Sequence, residues 1–229
     1  MLRNFFKNIS YLAFSNIATQ IVSFFGMIYI ARDLGPEKYG YYVTAVAFVS
    51  FFGILLLPGL KKVLVRECCK SLDRTKQILE DNIGIRWIFI LFSISLTILV
   101  GYFTPYSEQV KSLIYILSLT LAYKGLDEYL KVIYNANEEF KYISFLNFSE
   151  RFLFVLFASL GLYLGFGLIF IVMVSLISKV ITFSINILIA KRLTAIRLIR
   201  SVKLNKGILR SSFTFSLIAF IGGLGTRVD

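Results

Sequence analysis

The chain has 229 residues, of which 57% are apolar and only 17% are charged, with a net charge of +12 and no histidine. Soluble domains carry about 25% charged residues, so this composition excludes an ordinary water-soluble fold and indicates an integral membrane protein. The missing histidine excludes Ser-His and Cys-His nucleophile pairs, and the two adjacent cysteines alone make no usual metal site, so no metal or other cofactor is expected.

Six stretches are long enough to cross a hydrocarbon core of about 30 Å, which needs ~20 mostly apolar helical residues. In chain order they cover residues 10–31, 41–60, 83–104, 112–133, 143–164 and 168–190. A seventh apolar run begins near residue 212 and is too short to cross, as expected of a truncated span. The sequence therefore predicts an all-α, polytopic transmembrane helical bundle, with a six-helix lobe over residues 1–206 and the start of a second lobe over residues 207–229.

Backbone breakers mark two positions near the second span. Gly35 and Pro36, in the loop before it, are a helix stop signal and a helix start signal. Gly53 and Pro58 interrupt the second span itself. Pro58 removes a helix hydrogen bond near the end of that span.

The basic residues predict an orientation. Sixteen Lys and Arg residues lie in the N-terminal tail, in the predicted loop 61–82 and in segments 134–142 and 191–211, whereas three lie in the alternate segments. By the positive-inside rule the N-terminus is cytoplasmic, and we expect a multi-pass protein of the cytoplasmic membrane. The charge is dispersed over membrane-flanking segments, of which 191–206 fits a stretch at the inner interface, so it favours contact with anionic membrane lipids and no nucleic acid.

Four predicted spans carry their polar side chains on one helical face. At 100° per residue, each group falls within an arc of about 120° or less. The groups are Asn16, Thr19, Gln20 and Ser23 in the first span, Lys124, Asp127, Glu128 and Lys131 in the fourth, Ser144, Asn147, Glu150 and Arg151 in the fifth, and Ser175, Lys179, Thr182 and Asn186 in the sixth. Each charge costs at least ~2.5 kcal/mol at a helix centre in the membrane, so several charges facing one interior predict a hydrated cavity.

The interior is predicted to carry a positive surplus. Five cations outnumber the carboxylates of Asp127, Glu128 and Glu150, and one of the five is Arg86, which we expect to extend to the interface as an anchor. A ligand with a phosphate-like group complements this surplus.

A purely structural interpretation of the same charges stays open. Lys124 precedes Glu128 by four residues, and Asp127 precedes Lys131 by four, which is the spacing of ion pairs within one helix. Lys179 has no acidic residue within four positions on its own helix. The first-span residues Asn16 and Gln20 are equally consistent with hydrogen bonds between helices.

Two segments carry a resemblance, ARDLGPEKYGYY (31–42) and LPGLKKVLVRECCK (57–70). The first contains a Gly-Pro-x-x-[Tyr or Phe]-Gly element, and the second contains Val-Arg-Glu after the second span. The matching residues are Gly35, Pro36, Tyr39, Gly40, Val65, Arg66 and Glu67. In these motifs the sequence resembles the oligosaccharide flippases, or polysaccharide biosynthesis proteins, of the multidrug/oligosaccharidyl-lipid/polysaccharide exporter superfamily, and residues 226–229 (TRVD) resemble the start of that family's seventh span.

The resemblance implies a non-enzymatic carrier with two six-helix lobes around a central cavity, of which this chain supplies the first lobe. It implies a polyprenyl- or dolichyl-pyrophosphate-linked oligosaccharide as substrate, moved from the inner to the outer leaflet for cell-surface polysaccharide biosynthesis. Polysaccharide polymerases or glycosyltransferases are the implied protein partners.

For that substrate we predict specific roles. The pyrophosphate is held by Lys179 and Arg151 with help from Lys124. The residues predicted to bind sugar hydroxyls are Asn16, Gln20, Ser175 and Asn186, and the candidates for ion coupling are Asp127, Glu128 and Glu150.

Other functions stay open from the sequence. A multidrug cation antiporter of the same superfamily needs an acidic pocket, against which the positive interior argues. A non-transporting membrane scaffold or truncated product is the second alternative. A membrane glycosyltransferase is the weakest, because Asp73 stands alone in its loop without an acidic partner.

Overall fold

The computed structural model describes residues 2–194, 196 and 206–225, with side chains described for 12–194, 196 and 207–216. All longer regular elements in these ranges are α-helices, which confirms the all-α prediction for the described residues. The helices are α1 Leu2–Phe52, α2 Gly59–Lys70, α3 Thr75–Phe103, α4 Glu108–Ser118, α5 Thr120–Ala136, α6 Phe140–Tyr163, α7 Leu168–Thr194 and α8 Lys206–Gly225.

The chain is a multi-pass membrane protein. Four stretches of the described residues are long and apolar enough to cross a bilayer, namely Leu12–Leu56, Leu72–Phe103, Phe140–Tyr163 and Leu168–Thr194. The first has 45 residues, about 68 Å of helix, and covers most of two predicted spans, 10–31 and 41–60. The predicted fourth span is divided between α4 and α5, because Leu119 bonds back to the carbonyl of Ile116 in a turn between them. The count of six spans and a partial seventh therefore stays a prediction.

Helix α1 consists of two helices that meet at Gly35. This residue has φ 75° and ψ 168°, a conformation that glycine adopts at little cost, and Pro36 starts the second helix as predicted. The first part of α1 (residues 2–34) runs parallel to α6, since Ser15 donates to the carbonyl of Ser144 at 2.9 Å, and Ser23 contacts Arg151 further along both helices.

The second part of α1 (residues 36–52) runs in the opposite direction. It is antiparallel to α3, which is antiparallel to α5, which is antiparallel to α6. Two contacts fix each direction. For α1 and α3 they are Phe52 with Ser93 and Leu56 with Arg86, and for α3 and α5 they are Ile90 with Gly125 and Leu79 with Tyr129. For α5 and α6 they are Tyr123 with Glu150 and Tyr134 with Tyr142. We call the end of the bundle that carries α2 and the α5–α6 turn the basic end, and the end that carries Gly35 the opposite end.

A second break separates α1 from α2. It comprises a 3₁₀ turn over Gly53–Leu56, then Leu57 with φ 54° and ψ 67°, then Pro58. The left-handed conformation is unfavourable for leucine, and it ends the helix axis of α1. Helix α3 satisfies two carbonyls freed by this break, because Ser93 donates to Phe52 at 2.8 Å and Arg86 donates to Leu56.

The prediction of a loop at residues 61–82 is wrong. The segment forms most of α2, a 3₁₀ turn over Leu72–Arg74 and the start of α3. Helix α2 buries one apolar stripe, whose spacing of three and four residues is helical, and exposes its basic residues. The buried residues are Leu60, Val63, Leu64 and Cys68, and the exposed ones include Lys62, Arg66 and Lys70.

The outer surface of the bundle is apolar. Phe14 on α1, Tyr163 on α6 and Leu188 on α7 are 77%, 82% and 69% exposed. Contiguous exposed apolar surface of this kind is suited to lipid, because water would penalise it.

Helix α8 contacts α2 near the break. The backbone N–H of Gly59 donates to Ser216 Oγ at 2.9 Å, and Ser212 is buried against the same glycine. The basic segment 191–206, in which the predicted domain boundary falls, and the TRVD motif at 226–229 lie mostly or wholly outside the described residues, so the structure does not test them.

Candidate functional site

A cavity of about 470 Å³ lies inside the bundle, between the second part of α1, the start of α2, and α4 to α7. Its charged lining residues are Lys61, Lys124, Asp127, Glu128, Lys131, Glu150, Arg151 and Lys179. Its uncharged polar lining residues are Tyr42, Ser50, Thr120, Tyr123, Asn147 and Ser175. A partly open space lined by charged side chains thus lies within a bundle whose exterior is apolar.

The structure brings together most of the predicted site residues in this cavity. Lys124 comes from α5, Arg151 from α6, and Ser175 and Lys179 from α7. The three carboxylates predicted for ion coupling line it as well. Three of the four polar faces predicted from helical periodicity therefore meet at one space.

Asp127 and Lys131 form a buried ion pair on α5. Lys131 Nζ lies 2.5 Å from Asp127 Oδ2 and also donates to Asn147 Oδ1 at 2.7 Å. The other carboxylate oxygen of Asp127 accepts a hydrogen bond from Asn186 Nδ2 at 2.8 Å, and Asn186 Oδ1 accepts from Tyr134 at 2.6 Å. This network joins α5 to α6 and α7 and leaves both charges compensated.

Glu150 holds Lys179. Lys179 Nζ lies 3.2 Å from Glu150 Oε1, and the hydroxyl of Tyr123 donates to Glu150 Oε2 at 2.6 Å. Lys179 also contacts Ser175 Oγ at 3.4 Å. Lys179, which has no acidic neighbour on its own helix, therefore pairs with a carboxylate on α6.

Glu128 is more weakly held than the other two carboxylates. Its ion-pair contact is with Arg86 Nη2 at 3.8 Å, and the expected pair with Lys124 four residues earlier does not form. The prediction that Arg86 extends to the interface is wrong, because its side chain is 0% exposed and donates to the carbonyl of Leu56. The break after α1 frees that buried carbonyl, and an arginine donor from α3 satisfies it.

Three lining cations have no carboxylate within ion-pair distance in the part of the chain that the structure describes. Arg151 donates to Ser23 Oγ and lies over the ring of Phe154 at 5.5 Å. Lys124 Nζ occupies the space beside Gly53, where an added Cβ would lie 3.0 Å from it. Lys61 is the third, and burial lowers the pKa of its ammonium group, an effect that the charge of Glu128 opposes.

Three predicted sugar-binding residues do not line the cavity. Asn16 and Gln20 are exposed on the first part of α1, and Gln20 borders a separate, mostly apolar hollow next to Tyr39. Asn186 is 0% exposed, and both ends of its amide group are already hydrogen-bonded. The first-span stripe is divided, because Ser23 contacts Arg151 and the hydroxyl oxygen of Thr19 is buried, whereas Asn16 and Gln20 are exposed.

Sequence reasoning missed several lining residues. Lys61 was assigned to a loop, and Tyr123 lies outside the polar arc of its span. Thr120 lies within that arc but was not included in the predicted polar face. The signal for Lys61 was present, because the apolar spacing of Leu60, Val63 and Leu64 directly after Pro58 is that of a helix start.

The comparisons with known proteins agree with this architecture. A family model described as "Polysaccharide biosynthesis protein" matches residues 5–228. No curated protein matches the sequence.

Two solved structures share the fold. One is described as a MOP superfamily transporter from Pyrococcus furiosus in which reverse polarity of the binding pocket suggests a different function, with a TM-score of 0.61 and 18% identity. The other is described as an outward-facing multidrug resistance MATE family transporter of the MOP superfamily, with a TM-score of 0.60 and 18% identity. Each alignment covers 92% of this chain and 52% of the other, so this chain spans about half the length of those proteins.

Proposed function

The chain belongs to the polysaccharide biosynthesis protein family, and from this membership and the cavity we propose that the protein moves a lipid-linked oligosaccharide across the membrane. The saccharide is carried on a polyprenyl or dolichyl pyrophosphate and passes from the inner to the outer leaflet. The proposal concerns the whole carrier, because the chain spans about half the length of the structures it matches.

The observation that carries this proposal is the charge of the cavity wall. Five lining residues are cations and three are carboxylates, so the space has a surplus of two positive charges. In a cavity that is partly shielded from water, an unpaired cation attracts a phosphate more strongly than at the surface. The surplus supports an anionic ligand.

Within the cavity, Arg151 and Lys124 are the primary pyrophosphate ligands, because no carboxylate neutralises them in the described residues. Lys179 joins them by exchanging Glu150 for a phosphate oxygen. The hydroxyl groups of Ser50, Thr120 and Ser175 are suited to hydrogen-bond sugar hydroxyls.

In this proposal the basic end of the bundle faces the cytoplasm, the orientation that the positive-inside rule favours. A headgroup entering from that leaflet meets the cationic wall, while its apolar chain remains against the lipid-facing surface of the bundle. This arrangement avoids the cost of burying the pyrophosphate in hydrocarbon.

Glu128 is the leading candidate for ion coupling. Asp127 and Glu150 each hold a lysine within 3.2 Å and a second hydrogen-bond donor, whereas the one ion-pair contact of Glu128 is at 3.8 Å. A carboxylate whose ion-pair contact is long attracts an incoming cation more strongly than one that is already closely paired.

The first experiment removes the unpaired cations in the intact protein. We expect Arg151→Ala and Lys124→Ala each to abolish most export of the lipid-linked glycan at normal protein levels. Arg66→Ala is the matched control, because Arg66 is exposed on α2 and pairs with Glu67 at 3.1 Å. Wild-type export in the Arg151 and Lys124 variants contradicts the proposed site, and no export by the wild-type protein favours a non-transporting scaffold.

A second pair of variants tests Lys179. Lys179→Ala reduces export if the lysine exchanges Glu150 for the substrate. Glu150→Gln frees the lysine from its anion and keeps the hydrogen bond to Tyr123, so we expect it to strengthen substrate binding. Unchanged export in Lys179→Ala removes this residue from the mechanism.

A multidrug cation exporter is the alternative within the same superfamily. It predicts dye efflux from cells that express the intact protein. The positive wall disfavours an organic cation, so we expect no efflux above that of cells lacking the protein.

A further inference from the structure

The helix break after α1 brings a residue of the membrane-flanking helix α2 into the cavity. The left-handed Leu57 and the following Pro58 end the axis of α1, and α2 starts at Gly59. Lys61, two residues later, lines the cavity, whereas Lys62 is exposed on the outside of the same helix. Two adjacent lysines therefore lie in opposite environments.

Lys61 has no carboxylate within ion-pair distance among the described residues, although the charges of Glu128 and Asp127 act on it from further away. Each carboxylate in the cavity wall has its nearest ion-pair partner elsewhere: Asp127 in Lys131, Glu150 in Lys179, and Glu128 in Arg86. Arg86 is buried outside the cavity lining, so it compensates the charge of Glu128 without adding a positive charge to the cavity wall. The cations left in the wall are Lys61, Lys124 and Arg151.

Lys61 is also partly buried, so water compensates its charge less fully than that of Lys62. Burial lowers the pKa of its ammonium group, as expected for a lysine in a partly enclosed wall. A lysine in this position gains more from an incoming anion than its exposed neighbour does.

We propose that Lys61 is a specificity-determining residue of the cavity, which together with Lys124 and Arg151 binds a diphosphate in preference to a monophosphate. The inference rests on the proposed function and names the residue that recognises the second phosphate. A phosphate monoester carries about two negative charges at neutral pH, and a terminal diphosphate carries about one more, spread over a second phosphate group. Two cations compensate the monophosphate, and the third cation contributes only when the second phosphate is present.

The experiment measures binding of two defined probes, farnesyl diphosphate and farnesyl monophosphate, to the purified intact protein in detergent micelles by titration calorimetry. We expect wild type to bind the diphosphate more tightly. Lys61→Ala and Lys61→Met weaken diphosphate binding by about tenfold or more, the effect of losing one charge-assisted contact, and affect the monophosphate much less. Lys62→Ala is the matched control and leaves both affinities unchanged. Lys61→Arg restores the preference, because it keeps the charge.

The outcomes separate this inference from the proposed function. If Arg151→Ala and Lys124→Ala weaken binding but both Lys61 variants behave like Lys62→Ala, the role of Lys61 is overturned and the cavity remains the binding site. If wild type binds neither probe, or if Arg151→Ala binds as wild type does, the proposed function itself fails. Equal losses for the two probes in Lys61→Met also overturn the inference, since Lys61 then does not distinguish them.

Discussion

Removing the carboxylate of Asp127 should destabilise the bundle more than any exposed charge change. The side chains of Asp127 and Lys131 are 7% and 9% exposed, so solvent screens their 2.5 Å pair very little. Without the carboxylate, the ammonium group retains Asn147 as a neutral acceptor, and an N–H group of Asn186 loses its acceptor.

The magnitude follows from these contacts. Breaking one side of a buried ion pair costs about 3–5 kcal/mol, because the remaining charge stays in a poorly solvating interior. Asn147 still accepts a hydrogen bond from the lysine, so we expect Asp127→Ala to lower the free energy of unfolding by the lower limit of this range, about 3 kcal/mol. This loss changes the unfolding equilibrium constant on the order of a hundredfold. The double variant Asp127→Ala/Lys131→Met removes both charges and should recover most of this loss.

The assay is reversible unfolding in mixed micelles at increasing denaturing detergent, with the double-mutant cycle completed by Lys131→Met. The control is Glu67→Ala, which breaks exposed pairs with Arg66 and Lys70 and should cost no more than about 1 kcal/mol. If the losses of the two single variants simply add in the double variant, the two charges are not coupled and the reasoning is refuted.

Other predictions test packing and accessibility. Gly125→Ala places a methyl group 2.6 Å from the side chain of buried Ile90, so unfolding measurements should show a loss of stability of about 1–3 kcal/mol. Gly40→Ala is the control and should change stability little, because nothing lies within 4 Å of the added methyl group. Equal effects of the two variants contradict the close approach of α3 and α5. A membrane-impermeant maleimide should label exposed Cys69 from the cytoplasmic side of sealed vesicles, and Cys69→Ala should abolish the labelling. Cys68 should stay unlabelled at neutral pH, because burial raises the pKa of its thiol to about 11 and keeps it protonated, so labelling retained in Cys69→Ala opposes this placement.

The sequence by itself determined the class of the protein and the sign of its interior. A chain with 57% apolar residues is suited to lipid, and the 100° step of the helix places Lys124, Asp127 and Lys131 on one face whatever the helix contacts. Gly35 and Pro36 predict their helix break for the same reason, since both act through their own backbone dihedral angles. Such properties are local to one helix.

Only the tertiary structure decided which cation meets which carboxylate. The partner of Lys179 is on α6, and that of Glu128 is on α3, so each pair depends on how two helices are rotated and shifted against each other. Periodicity within one helix contains no information on that arrangement. The position of Lys61 depends on the helix break between α1 and α2, which changes the direction of the helix axis. This break places Lys61, which the sequence assigned to a loop, in the wall of the cavity.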